Sequence, residues 1–514
     1  REQPALYCAV DEARKYMPTM LARALEVVMI FRLLVDFGIV DAVHHSVGRS
    51  VNVLEHHPKS LHATNEHASL HSQKPFAGAW VTNLGHGSKG KLVLPKPVKY
   101  EPDMNGKQLV LASAFDFREA EGCAQSPSGL LGHAFSRYSQ LLKATAKSAP
   151  SNYARKLMQQ KDSLEQISAE REEGIVLRGL DVLIATDKEV LELGMDESYQ
   201  LDIRMPRVLI TANTVWGAIR ALETFSQLVS RDSKQGDLVV DEAKIQDEPR
   251  FAHRGVMIDT SRHFLTLPTI MEVLDAMAYS KLNVLHWHMV DDQSFPFESV
   301  ALPKLVMGAF SAEHVYTHSD VKKVIEHARR LGIRVVPEFD QPGHTESWGV
   351  GYPELLSKCP TKVSEKGPFD PTVNTTMVLM KMLLRELSEL FPDKNLHIGG
   401  DEVDETCWMG DPEVMSRMRS MNIRDPKMLQ SFYEQQVTRA TADVGKTPIV
   451  WEEVFANMDK MYSIHPSTWI QVWMGGLDNW KDTMDRITKE GFHALLSAPW
   501  YLNIISYGNG WRDY

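Results

Sequence analysis

The sequence predicts an α/β protein whose C-terminal half is a (β/α)8 barrel (a TIM barrel), preceded by a smaller α/β domain. Two observations carry this. After residue 247, short apolar runs alternate with longer segments of helical periodicity, as in parallel strands joined by crossover helices. Polar and aromatic residues also gather at the C-terminal ends of those runs, where such a barrel keeps its chemistry.

The runs are, in order, "GVMIDTS", "LNVLHWHMVDD", "RVVPEFD", "NLHIGGDE", "PIVWEE", "TWIQVWM" and "HALLSAPWYL". Between them lie helical patterns such as "TIMEVLDAMAYSK", "SDVKKVIEHARRLG" and "TTMVLMKMLLRELSELF". Seven strands in residues 247–514 fit a barrel better than an open doubly wound sheet. Closure requires an eighth strand, and none is legible before Tyr514. The expectation is a barrel whose eighth strand is missing from this chain.

Upstream, residues 91–246 read as a smaller α/β domain. "GLDVLIATD" has the look of a buried strand and "VWGAIRALETFSQLVS" that of an amphipathic helix. Pro249 and the charged "QDEPRFAHR" mark the boundary. Residues 1–90 are unassigned and read as partly disordered. Seven histidines fall between positions 44 and 71, and "NLGHGSKGK" follows as a linker. His67 and His71 have the i, i+4 spacing of a metal pair, but no cysteine or carboxylate set completes a site. The early apolar segment "LEVVMIFRLLVDFGIVDAV" is broken by Arg32 and Asp36, which argues against a membrane span.

Composition narrows the function. The net charge is −11 and no basic run is present, so no nucleic-acid partner is implied. Four cysteines without a CxxC pair give neither a disulfide scaffold nor a zinc set. There is no phosphate loop and no GxSxG elbow. Carboxylates, tryptophans and an arginine at strand ends suit a carbohydrate, whose ring faces pack on indole and whose hydroxyls bond to charged groups. His286 and His288 could share a face at i, i+2, but with no third ligand apparent they read as structural or substrate-lining. No metal and no cofactor are implied.

Within "LHIGGDEVDETCW", Asp401 and Glu402 are adjacent. Extended backbone would send them to opposite faces and so relieve their repulsion. A glycosidase needs a proton donor and a group that stabilises positive charge at the anomeric carbon. Glu402 is the candidate donor, its pKa raised by burial among acids. The alternative is that both acids cap the next helix.

These motifs, with "HRGVMIDTSRHF", "VVPEFDQPGHTESWG", "IVWEEVF" and "SAPWYLNIISYG", resemble the β-N-acetylhexosaminidases of glycoside hydrolase family 20, animal lysosomal type. The resemblance spans residues 91–514 and includes "LPKPVKY" and "GCAQSPSGLLGHAFSRY" in the smaller domain. It implies an exo-acting retaining glycosidase that removes terminal β-linked N-acetylglucosamine or N-acetylgalactosamine. The nucleophile is the substrate's own acetamido oxygen, and the intermediate is an oxazolinium. It assigns Glu402 as acid and base, Asp401 as the residue orienting the acetamido group, and Tyr501 as its hydrogen-bond partner. Trp451 and Trp473 would wall the pocket. Arg262, Asp291, His344 and Asn503 would complete the substrate site.

The same resemblance pairs Cys359 with Cys407 in a disulfide, which suits an oxidising compartment, lysosomal or secreted. Cys123 matches a second bridge position whose partner is absent. Asn374 opens an N-glycosylation sequon. A homodimer is the family habit. A departure lies at the C-terminus, where the family's later Trp and Glu have no match. The missing strand leaves an alternative of another class, a catalytically silent carbohydrate-binding or interaction protein on the same fold.

Overall fold

The computed structural model describes residues 93–103, 108–147, 175–232, 236–474, 479–498 and 500. The histidine-rich and apolar N-terminal segments, Tyr501 and Asn503 lie outside these residues. The chain divides into two compact units, one extending to Asp187 and including Glu197–Glu248, the other comprising Lys188–Asp196 and the residues from Pro249 onward.

The first unit is built on an eight-stranded mixed sheet. At its centre Val176–Ile184, from the run read as a strand, pairs in parallel with Gln108–Glu119 and Arg207–Ala212. Helices Leu130–Lys147 and Val215–Leu228 pack against each other and against the sheet. Thr214 caps the second helix, accepting from the backbone N–H of Trp216 and Gly217. That helix is less amphipathic than its sequence suggests, because twelve of its fourteen residues are buried. Its polar positions face partners inside the unit: Arg220 pairs with Glu197 at 2.8 Å, and Glu223 accepts from the Tyr138 hydroxyl at 2.9 Å.

The second unit carries the barrel strands: β1 (Gly255–Asp259), β2 (Val284–Val290), β3 (Arg334–Phe339), β4 (Asn395–His397), β5 (Thr447–Trp451), β6 (Trp469–Val472) and β7 (His493–Leu496). All pair in parallel and in sequential order. Each gap but one between successive strands holds a main helix, α1 (Leu267–Tyr279), α2 (His318–Arg330), α3 (Asn374–Leu390), α4 (Pro426–Asp443) and α5 (Trp480–Lys489). Between β5 and β6 stands only the short helix Glu452–Ala456. This is the wall of a TIM barrel, seven strands long among the described residues.

Local sequence places these elements. Every residue of β2 and β3 is buried, as expected of parallel strands covered on both faces. At the edge strand β1, Met257 is exposed. Thr317 and Asp320 form a capping box at the start of α2, and Asp425 caps α4 by accepting from Met428 N. A small antiparallel hairpin, Leu356–Lys358 with Lys366–Phe369, stands between β3 and α3. The Cys359–Cys407 disulfide ties it to the short helix Glu405–Gly410. Asn374 is exposed at the first turn of α3.

Candidate active site

Register brings the chemistry together. Asp259, His288, Glu338 and His397 are mutual partners across β1, β2, β3 and β4, so one row of the sheet carries four polar side chains. Glu338 is fully buried at its centre. His286 Nε2 lies 2.7 Å from its Oε2, His288 Nδ1 2.8 Å from the same oxygen, and His397 Nδ1 3.3 Å from Oε1. The Trp451 indole N–H donates to Oε1 at 2.8 Å.

Burial opposes a charge on Glu338, but the surrounding histidines outweigh it and hold the carboxyl well below its usual range. His288 is likewise held well above its ordinary value, against burial, by Glu338 and Asp291. Burial pushes His397 down to about 3, so it stays neutral. The donor atoms of His286, Glu338 and His397 lie within 4.8 Å of one another. Of the two histidines only His286 hydrogen-bonds Glu338, at 2.7 Å; the Nδ1 lone pair of His397 takes the Gly399 N–H at 3.1 Å instead.

From His288 the network runs outward. Asp291 Oδ2 lies 3.0 Å from His288 Nε2 and 2.6 Å from Arg262, while its Oδ1 lies 3.2 Å from His344 Nδ1. Burial would raise the Asp291 carboxyl, yet His288 and His344 hold it far down. Arg262 also pairs with Asp259 at 2.8 Å. The bonding to Asp259 that a structural role demands and an orientation toward Asp291 therefore coexist in one side chain.

His344 faces both adjacent acids. Its Nε2 lies 3.6 Å from Asp401 Oδ2 and 3.4 Å from Glu402 Oε2. Burial disfavours its charge, but Asp291, Asp340, Asp401 and Glu402 together hold it protonated, its pKa well above the ordinary value.

Two sequence expectations are corrected here. Asp401 and Glu402 do not sit in extended backbone facing apart. They follow β4 in a turn with positive φ at Gly399, Gly400 and Glu402, and both converge on His344, whose charge offsets their repulsion. A Cβ at Gly399 would come within 1.6 Å of Asp340 Oδ1, so the turn requires glycine there. The pKa of Glu402 is also lowered rather than raised, first by its contact with His344. Its side chain is 59% exposed, so burial contributes less than the histidine. Neither acid caps the next helix; Asp404 does, accepting from Thr406 N.

The aromatic wall stands beside these acids. Trp451 and Trp473 meet edge to face at 6.2 Å. Trp473 N–H groups are held by two glutamates: backbone N to Glu452 at 2.8 Å, indole Nε1 to Glu453 at 2.9 Å. Burial pushes Glu453 up to about 7, with Asp401 adding to the effect and the Trp473 bond opposing it.

The structure thus gathers Arg262, Asp291, His344, Asp401 and Glu402 in one network, and sets Trp451 and Trp473 against each other. Cys359 and Cys407 are disulfide-bonded, and Cys123 carries a free thiol. Sequence reasoning missed Glu338, His397, Asp340 and Glu453. Aligning the strand ends in register would have found the first two.

A β/α barrel presenting paired acids, a bridging histidine and indole walls at its C-terminal strand ends is the frame of a glycoside hydrolase. Residues 251–513 match the glycosyl hydrolase family 20 catalytic domain, and residues 93–228 match the β-acetyl hexosaminidase-like domain. The chain belongs to glycosyl hydrolase family 20.

Among its relatives, the human β-hexosaminidase subunit beta is 49% identical over 327 residues, 63% of this chain and 58% of the relative. The rat β-hexosaminidase subunit alpha is 43% identical over 406 residues, 78% of this chain and 74% of the relative. The chain therefore spans about three fifths of the length of the beta subunits it matches. The solved Flavobacterium johnsoniae chitobiase superposes with a TM-score of 0.65 at 27% identity, covering 80% of this chain and 60% of its own. The Vibrio harveyi exo-β-N-acetylglucosaminidase solved with N-acetylglucosamine shares the fold, with a TM-score of 0.60 at 22% identity over 80% of this chain and 62% of its own.

Proposed function

We propose that the chain is the catalytic portion of an exo-acting, retaining β-N-acetylhexosaminidase that cleaves terminal β-linked N-acetylglucosamine or N-acetylgalactosamine. The observation that carries this is the position of His344, with Asp291 on one nitrogen and both Asp401 and Glu402 on the other. That arrangement gives two adjacent acids different tasks.

In the first step the substrate's acetamido oxygen attacks C1 as the C1–O glycosidic bond breaks. Glu402 gives its proton to the departing oxygen. Asp401 accepts from the acetamido N–H and stabilises the cationic oxazolinium. In the second step water attacks C1, Glu402 takes the water's proton, and the oxazolinium opens to the retained sugar. His344 favours the ionised Glu402 that takes the water's proton, so the donor form of the first step belongs to acidic pH; Trp451 and Trp473 would form an apolar wall for the acetamido methyl. Arg262, anchored on Asp259 and Asp291, would bind sugar hydroxyls. Tyr501 would bond the acetamido oxygen and Asn503 would lie near the outer hydroxyls.

The hexosaminidase relatives support the same chemistry. The disulfide and the exposed sequon asparagine suit a lysosomal or secreted glycoprotein. Among the described residues no helix is long and apolar enough to cross a membrane. The natural substrate would be the terminal sugar of an oligosaccharide, glycoprotein or glycolipid, and the assembly a homodimer. The 514-residue chain, assayed on a chromogenic β-N-acetylglucosaminide, should release the chromophore with the β-anomer of the sugar as first product. Sugar binding without turnover would overturn the enzyme reading and leave a binding protein on this fold.

A further inference from the structure

One carboxyl beside the site is used by none of these steps. Glu434 lies on α4, 1% exposed, and both its carboxyl oxygens are buried without a hydrogen-bond partner. It sits one helical turn after Gln430, whose amide donates to the Gly400 carbonyl at 3.0 Å, so both residues lie on the face of α4 that meets the Gly400 turn. A Cβ built on Gly400 would lie 3.2 Å from Glu434 Oε1. The next residue is Asp401, whose Oδ1 is also buried and unpartnered.

We propose that Glu434 is a positioning residue for Asp401, its carboxyl linked by a hydrogen bond to the Oδ1 of Asp401 from beneath the Gly400 turn. Two orphaned carboxyls at one glycine turn, both closed off from water, are stabilised when one carries a proton and donates to the other. Glu434 is the one with no access to water, and burial together with Asp401 pushes its carboxyl well above the ordinary range. A small rotation of either side chain, or one enclosed water, completes the link. The consequence is directional. With Oδ1 engaged from below, Asp401 presents Oδ2 upward, toward His344 and the space where an acetamido N–H would lie. The assignment of this role to Asp401 rests on the hexosaminidase reading above.

The test uses two variants of the full chain and a cationic-intermediate mimic, an N-acetylglucosamine thiazoline. Glu434→Gln keeps a donor of the same shape, while Glu434→Leu keeps the volume and removes the donor. The Gln variant should bind the thiazoline within about twofold of the parent, and the Leu variant roughly tenfold more weakly, the size of a coupled buried pair. In an Asp401→Asn background the Leu change should alter binding by less than about twofold. Equal weakening in both backgrounds, or parent-like binding by the Leu variant, would overturn the proposal. Infrared difference spectra separate it from the functional reading. The parent-minus-Glu434→Gln difference spectrum should show the carbonyl stretch of a protonated carboxylic acid at neutral pH, lost from the variant. Loss of thiazoline binding by the parent itself would sink the hexosaminidase reading, whereas absence of the infrared band would sink the Glu434 assignment whatever the chain binds.

Discussion

His344 Nε2 stands 3.4 Å from the Oε2 of Glu402 while its Nδ1 stands 3.2 Å from the Oδ1 of Asp291. The imidazole therefore joins a deeply buried carboxylate to an exposed one. Its positive charge is maintained by acids on both sides, and it lowers the pKa of Glu402 before substrate arrives.

A pH profile follows from that pair. The donor form of Glu402 is the protonated one, so kcat/KM should fall as pH rises through the lowered Glu402 value. Replacing His344 by Gln removes the cation that lowers it. The alkaline limb should then move to higher pH, while kcat at the optimum falls by roughly 10²-fold for lost acid–base organisation. An unchanged limb in His344→Gln would show that Glu402 is not the titrating donor.

Asp401→Asn separates the acetamido mechanism from a two-carboxylate one. The variant loses the charge that stabilises the oxazolinium, and kcat should drop on the order of 10²-fold or more. Glu402→Gln should behave differently. Substrates whose leaving group needs no proton should be hurt least, those with poor leaving groups most. Equal losses across leaving groups would count against Glu402 as the acid.

Glu453 makes a stability prediction with a definite sign. Its folded pKa is about 7 against an ordinary value of 4.5, so between those pH values the folded state holds a proton that the unfolded state releases. Its contribution is fully present below about pH 4.3 and is lost as pH rises through about 7. Gln at this position cannot ionise and can still accept from the Trp473 indole. The stability gained by Glu453→Gln should be near zero at about pH 4 and approach about 3 kcal/mol above pH 8. Urea midpoints across that range would check it, and a gain independent of pH would refute it.

The barrel was legible because its strands are contiguous, largely apolar runs set off by helical periodicity. β2 and β3 show this best, since burial of every residue leaves no alternation to misread. The acids of "GGDE" were legible as a pair but not in their geometry, which depends on positive φ at Gly400 and Glu402 and on His344 arriving from the loop after β3. Glu338 was invisible for a related reason. Its partners His286, His288, His397 and Trp451 come from β2, β4 and β5, and only strand register puts them around one carboxylate. Glu434 lay in a helix whose sequence gives no sign that this position faces the Gly400 turn.

The Cys359–Cys407 disulfide closes a loop of 48 residues in sequence, running from the hairpin after β3 through α3, β4 and the Asp401–Glu402 turn. Both sulfurs are fully buried. Confining that loop in the unfolded chain is worth about 4 kcal/mol on the chain-entropy account. Cys359→Ser with Cys407→Ser should therefore lower stability by about that amount, or less if the reduced chain keeps residual structure. The loop also carries the acids, with Cys407 five positions after Glu402 in the sequence. If the bond serves only to stabilise, the folded double variant at low temperature should keep the parent kcat and pH profile. If it also fixes the turn, kcat should fall while the protein is still fully folded, as judged by near-ultraviolet circular dichroism. The structure favours the first outcome, because Asp340 accepts from Gly400 N at 3.0 Å and Gln430 donates to the Gly400 carbonyl. Those two bonds hold the turn at its glycine independently of the sulfur bridge.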